Sequence, residues 1–101
     1  MKAIIDGKRY NTETATEVAS RHHGTGNFDD VSESLYRTAK GAWFLAGSGG
    51  RNSSYAQDVD SNPTSGEGLH PLSDNEAIAW LETQNEVDAL EKYFAESIED
   101  A

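Results

Sequence analysis

Bulky apolar residues are densest in two short runs, Leu35-Tyr36-Arg37-Thr38 and Ala42-Trp43-Phe44-Leu45, separated by Ala39-Lys40-Gly41. A three-residue loop closing on glycine suits a hairpin, because glycine takes the left-handed backbone position without a Cβ clash. That loop predicts Tyr36 opposite Phe44, Leu35 opposite Leu45 and Arg37 opposite Trp43. Cross-strand pairs of these types contribute about 0.2–1 kcal/mol each, and an arginine over a tryptophan adds a cation–π contact. This hairpin should form the core sheet.

The flanking patterns are weaker. Ala3, Ile4 and Ile5 precede Asp6-Gly7, a turn pair that predicts a first hairpin from residues 2–5 and 8–10. Asn11 or Thr12 can cap a helix to about residue 22, with Thr14-x-x-Glu17 as a second capping box. Ala15, Val18, Ala19 and His22 share one helical face, and Gly24 supplies a stop. Residues 24–30 read as a loop anchored by Phe28. Residues 48–68 read as a long polar loop in which only Tyr55, Ala56 and Val59 have apolar bulk, a length that is usually functional or mobile. Residues 69–72 suit an edge strand, since Pro71 has no N–H to give a neighbour.

Two helices close the chain. Ser73 and Glu76 form a capping box, Leu72 staples onto Ala77, and Ala77, Ile78 and Leu81 make the buried stripe with Trp80 at its edge. Asn85 can cap a second helix with Val87, Leu90, Phe94 and Ile98 inward and Glu86, Asp88, Glu91, Glu96, Glu99 and Asp100 outward. Asp88 and Lys92 attract at i,i+4, and Glu96 and Asp100 repel. The reading is a single α+β domain spanning 1–101: an antiparallel sheet of four to five strands built from two hairpins, one N-terminal helix and two C-terminal helices.

Composition sharpens this. A chain of 101 residues buries roughly two-thirds of its unfolded surface, enough for one core. Absence of cysteine excludes disulfides and thiolate metal sites. The opening MKAIIDGKRY lacks the apolar stretch of a secretion signal and no run approaches spanning length, so a soluble intracellular protein is expected. The net charge is −10, from 18 acidic and 8 basic side chains. It is unevenly spread: residues 74–101 hold nine acids against Lys92 alone. Such a surface opposes contact with nucleic acid and anionic membranes and attracts basic partners, although acidic helix faces often serve solubility alone.

Catalytic chemistry is hard to assemble. His22 and His23 are adjacent and diverge by about 100° on a helix, so a metal site would need His70 and carboxylates from elsewhere. Asp58-x-Asp60-x-Asn62 resembles the start of a calcium loop, but Pro63 stands where glycine is required and Leu69 where glutamate is. Gly47-Ser48-Gly49-Gly50-Arg51 follows a strand but lacks the Gly-Lys-Ser/Thr ending of a phosphate loop. There is no Gly-x-Ser-x-Gly elbow. The expectation is a protein with no catalytic residues, no metal and no cofactor. A small hydrolase using His22 or His70 with a carboxylate is the enzymatic alternative.

The acidic C-terminus then carries the functional expectation. Duplex DNA presents one charge per roughly 1.7 Å of axis, and carboxylates at i, i+3 and i+4 of a helix stand about 5–6 Å apart. A row of them can imitate a phosphate strand in a channel lined by arginine and lysine. Glu82, Glu86, Asp88, Glu91, Glu96 and Glu99 are the expected contacts, with Asp58 and Asp60 as a second patch.

Three blocks in order, Gly7-Lys-Arg-Tyr-Asn-Thr-Glu-Thr-Ala15, Leu35-Tyr-Arg-Thr-x-x-Gly-x-Trp-Phe-Leu-x-Gly-x-Gly-Gly50 and Pro71-Leu-Ser-x-x-Glu-Ala-x-x-Trp80, resemble a small domain of phage and mobile-element proteins that includes bacterial anti-CRISPR proteins. The likeness runs from residue 3 to about 94 and lies in turn glycines, hairpin aromatics and a helix cap. What it implies is an inhibitor in the bacterial host cytoplasm that binds the basic DNA-binding cleft of a CRISPR effector complex, with no direct nucleic-acid binding and no membrane. An antitoxin-like or adaptor protein for another basic partner is the alternative. Exposed Trp80 or Tyr93 would point to a homodimer.

Overall fold

Alternation along the central strands decides the architecture. The computed structural model describes residues 1–24, 30–49, 55, 57–59, 62–64 and 66–101, with the backbone alone at 57–59 and 62–64. The elements are β1 (Lys2–Ile5), β2 (Lys8–Asn11), β3 (Thr16–His23), β4 (Val31–Arg37), β5 (Trp43–Gly49), β6 (Gln57–Val59), β7 (Asn62–Thr64), β8 (Gly66–Leu72), α1 (Asp74–Thr83), α2 (Val87–Tyr93) and a 3-10 turn at Ala95–Ser97. The main sheet is antiparallel in the order β3-β4-β5-β8, and β1-β2 and β6-β7 are separate two-stranded ribbons.

The β4–β5 register pairs Leu35 with Leu45, Tyr36 with Phe44 and Arg37 with Trp43, as the loop predicts. Gly41 closes that loop at φ +89, and its N–H donates to the Thr38 carbonyl at 2.9 Å. Because neighbours in register share a face, Leu35, Trp43 and Leu45 project to one side. There they meet Ala77 and Leu81 of α1, with Val18, Ala19, Leu72, Trp80, Ala89, Leu90, Tyr93 and Phe94 around them. Phe44 and Ala46 project to the other side and meet Tyr10, with Ile5, Ala15, Tyr36 and Leu69. The sheet is the middle layer, with helices on one face and the β1–β2 ribbon on the other. Leu35, Phe44 and Leu81 are fully buried, each contributing about 1.5–3 kcal/mol.

Arg37 lies 5.8 Å from the Trp43 ring and 5.4 Å from the Tyr93 ring. The first hairpin turns on Asp6 (φ 52) and Gly7 (φ 75), two consecutive positive-φ residues that match the twist of the strands they join. It does not extend the main sheet. β8 is an edge strand, with Pro71 opposite Phe44 and its missing donor harmless on the outer side.

The expected N-terminal helix is not formed. Ala15 N–H bonds the Asn11 carbonyl at 3.1 Å, one helical turn that stops there, and Thr16–His23 runs on as β3 against β4. The register shifts between Glu17 and Ala19, and this bulge sets consecutive Val18 and Ala19 against the same core cluster. That break in alternation imitates a helical stripe. Ala15 belongs to the cluster on the opposite face.

The stretch 48–68 holds more structure than a loop: it contains the end of β5, the β6–β7 ribbon and the start of β8. Its fixed point is Tyr55, only 5% exposed. Phe28 and Ala56 lie outside the described residues, as does the side chain of Val59.

Helix α1 has both arms of its capping box: Glu76 N–H donates to Ser73 Oγ at 3.2 Å, and Ser73 N–H to Glu76 Oε1 at 2.9 Å. Helix α2 is shorter than expected. Asn85 takes φ 56, Glu86 becomes the N-cap, and the helix ends at Tyr93, with Phe94 leaving at φ −131. The Phe94 ring stacks on Trp43 at 5.1 Å. Carboxylates following a helix C-terminus oppose its dipole, and Glu96, Glu99 and Asp100 stand there. Ile98 is therefore off the helix and 45% exposed.

Candidate interaction surface

The link Asn85-Glu86 folds α2 back on α1, held by Asn85 N–H to the Glu82 carbonyl at 3.0 Å and Glu86 N–H to the Leu81 carbonyl at 2.9 Å. Between the two helices and the C-terminal turn runs a groove of about 370 Å³, lined by Ile78, Glu82, Val87, Leu90, Glu91, Phe94, Ser97, Ile98 and Glu99. Three of the expected contact residues, Glu82, Glu91 and Glu99, thus come together on one groove. All three are exposed.

The other expected residues are placed differently. Glu86 is half-buried at the α2 N-cap, Asp88 is exposed in the first turn of α2, and Glu96 is exposed on the 3-10 turn. Because α2 stops at Tyr93, Glu96 and Glu99 do not continue a helical row, and only Asp88 and Glu91 keep an i,i+3 spacing on one helix. The expected regular file of carboxylates is a cluster. Asp60 lies outside the described residues and Asp58 is described in its backbone alone.

Among the described residues the one ion pair is Arg21–Glu33, so none of these six carboxylates is neutralised by a described cation. Lys92, expected beside Asp88, instead holds its ammonium 5.2 Å from the Tyr93 ring. Other cations gather elsewhere: Lys8, Arg9 and Lys40 line a separate cleft of about 640 Å³ together with Tyr10, Asn11 and Thr38. Trp80 and Tyr93, named as markers of a homodimer if exposed, are both half-buried against the core.

One cluster escapes sequence reading. Glu33 is buried, and it accepts from Arg21 Nε at 2.6 Å and from the Tyr55 hydroxyl. A Cβ on Gly47, the partner of Glu33 across β4–β5, would lie 2.7 Å from the Tyr55 hydroxyl oxygen and 2.7 Å from the Ser32 carbonyl. The glycine makes room for the tyrosine ring, which also lies 5.5 Å from His70. Burial pushes the Glu33 carboxyl up, and hydrogen bonds from Tyr55 and Arg21 outweigh it, holding it below the ordinary carboxylate value. Burial and the Glu33 acceptor push the Tyr55 phenol well above its usual range. The Trp80 indole N–H, buried without a hydrogen bond among the described residues, adds a weaker pull on the same carboxylate. Arg21 and Glu33 face each other only if residues 16–23 are a strand, so the helical reading hid the pair.

His22 Nδ1 and Ser32 Oγ are 2.8 Å apart on a polar depression of about 520 Å³ that Ser20, Ser34, Ser48 and Glu67 also line. A nucleophilic pair needs a third group to orient the base, and among the described residues no carboxylate bonds the other His22 nitrogen. Among the described residues no three His, Asp or Glu side chains converge on a metal-sized site, and no helix is long and apolar enough to cross a membrane. In comparisons with known proteins, no family model, no curated protein and no solved structure matches the chain.

Proposed function

We propose that this protein acts by binding rather than by catalysis, as an inhibitor whose acidic C-terminal surface occupies the basic DNA-binding cleft of a CRISPR effector complex in the cytoplasm of a bacterial host. One observation carries the binding reading. Glu82, Glu91 and Glu99 rim one groove, with Asp88 and Glu96 exposed on the same short segment and no described cation paired to any of them. Carboxylates left without internal partners retain their field toward solvent. They steer and hold a basic surface, in competition with the phosphates that surface would otherwise neutralise. The target class rests on the resemblance of the three sequence blocks alone.

The inhibition should weaken as salt rises, since the contact is between exposed charges screened within about 8–10 Å. The test is a phage or plasmid challenge in CRISPR-active cells, followed by capture of the effector and measurement of its binding to target DNA. The proposal expects restored phage growth and a captured effector unable to bind its target. Undiminished interference at full expression of the folded protein would contradict it. A second reading, an antitoxin-like or adaptor protein for another basic partner, draws on the same surface. It is favoured if capture from host lysate returns a basic protein unrelated to CRISPR.

A further inference from the structure

The groove is not only acidic. Of the four large apolar side chains most exposed among the described residues, two, Val87 at 50% and Ile98 at 45%, lie in it. Val87 and Leu90 stand at i and i+3 on the side of α2 that lines the groove, Phe94 joins them from just past the helix end, and Ile78 faces them from α1. A surface that competed with phosphate by charge alone would have no use for exposed aliphatics at its centre. We infer that this groove receives an amphipathic basic segment of the partner protein. An aliphatic side chain of that segment seats among Ile78, Val87, Leu90 and Ile98, and its lysines or arginines rest on Glu82, Glu91 and Glu99.

Charge complementarity selects this occupant. Among the described residues the lining includes three carboxylates and no lysine or arginine, which disfavours a polyanionic nucleic-acid strand and favours a cationic segment. A second copy of this chain is disfavoured for the same reason. A two-fold contact would bring Glu82, Glu91 and Glu99 of each protomer against those of the other. An apolar stripe flanked by charge is the arrangement by which grooves take amphipathic helices, with apolar anchors supplying affinity and flanking charges supplying orientation. The inference rests on the reading of the acidic end as the binding surface and adds that the bound element is a protein segment with an apolar anchor.

The probe is a synthetic peptide with leucine and arginine at helical spacing, titrated into the full chain by calorimetry. Two control peptides carry glutamate for arginine or serine for leucine. The parent peptide should bind, the glutamate peptide should not, and the serine peptide should bind about tenfold more weakly. In the protein, Val87→Ser with Ile98→Ser should weaken parent binding by about tenfold with its salt dependence kept. Glu82→Gln, Glu91→Gln and Glu99→Gln together should flatten that salt dependence. Because all five side chains are exposed, circular dichroism should show both variants folded. Parent binding unchanged in the serine variant, equal binding of the glutamate peptide, or self-association of the chain that the serine variant abolishes would each overturn the inference. Effector inhibition that survives the serine variant and fails in the glutamine variant would sink the anchor and leave the proposed function standing. Peptide binding as expected in a chain that does not inhibit would do the reverse.

Discussion

Two groups of carboxylates in this molecule have opposite fates. Glu33, in the middle of the sheet, is buried and held by Arg21 and Tyr55. Glu82, Glu91 and Glu99, at the helical end, are exposed and paired with no described cation. A buried charge must be fully partnered within the fold or it unfolds it, so Glu33 is committed to structure. An exposed charge adds little to stability and stays available to a partner. The difference between the regions lies in what surrounds the charge, and charge counts along the chain do not separate them.

Removing the buried acid should have the largest effect. Glu33→Ala leaves the Tyr55 hydroxyl and the Arg21 guanidinium without their acceptor. Arg21 remains 32% exposed and can recover some hydration, so the loss should be about 2–3 kcal/mol by chemical denaturation. Gly47→Ala should cost about 1–3 kcal/mol through overpacking, because the new methyl meets both the Tyr55 ring and the Ser32 carbonyl. A Gly47→Ala variant as stable as the parent would show that Tyr55 does not need its seat.

Titration sharpens the same contrast. Glu33 is held below the ordinary carboxylate value, so its contribution is present above the unfolded value of about 4.3 and fades as pH falls through the folded one. Tyr55 is pushed above the ordinary phenol value, so its contribution is present below about pH 10 and fades as pH rises toward the folded value. Tyr55→Phe should lessen the alkaline decline, leaving the part due to the raised phenol of Tyr36. It should also shrink the acid one, since Glu33 loses a donor and its folded value moves back toward the unfolded value. Stability measured against pH in both proteins checks this. The smallest effect should come from the groove: neutralising Glu82, Glu91 and Glu99 to glutamine should change stability by no more than about 0.5 kcal/mol.

What could be read from the sequence followed the range of the forces involved. The β4–β5 register was legible because a glycine-closed loop fixes pairing locally, and α1 was legible because its cap is written in Ser73 and Glu76. β3 was not, since the bulge at Glu17–Ala19 breaks alternation and its pairing is with a strand about a dozen residues on. The end of α2 was not, because Phe94 leaves the helix with its ring stacked on Trp43, contributed by a distant strand. The acidic rim was visible as charge density. The apolar centre was not, because Val87 and Ile98 read as members of one buried stripe, whereas α2 ends before Ile98 and leaves Val87, in its first turn, exposed.

The most direct test reverses the rim. In a chain carrying Glu82→Lys, Glu91→Lys and Glu99→Lys, binding of the captured CRISPR effector to its target DNA is measured at physiological salt beside the unaltered protein. The account predicts that the unaltered chain blocks that binding and the reversed chain, folded by circular dichroism, does not. Equal inhibition by the two would contradict it.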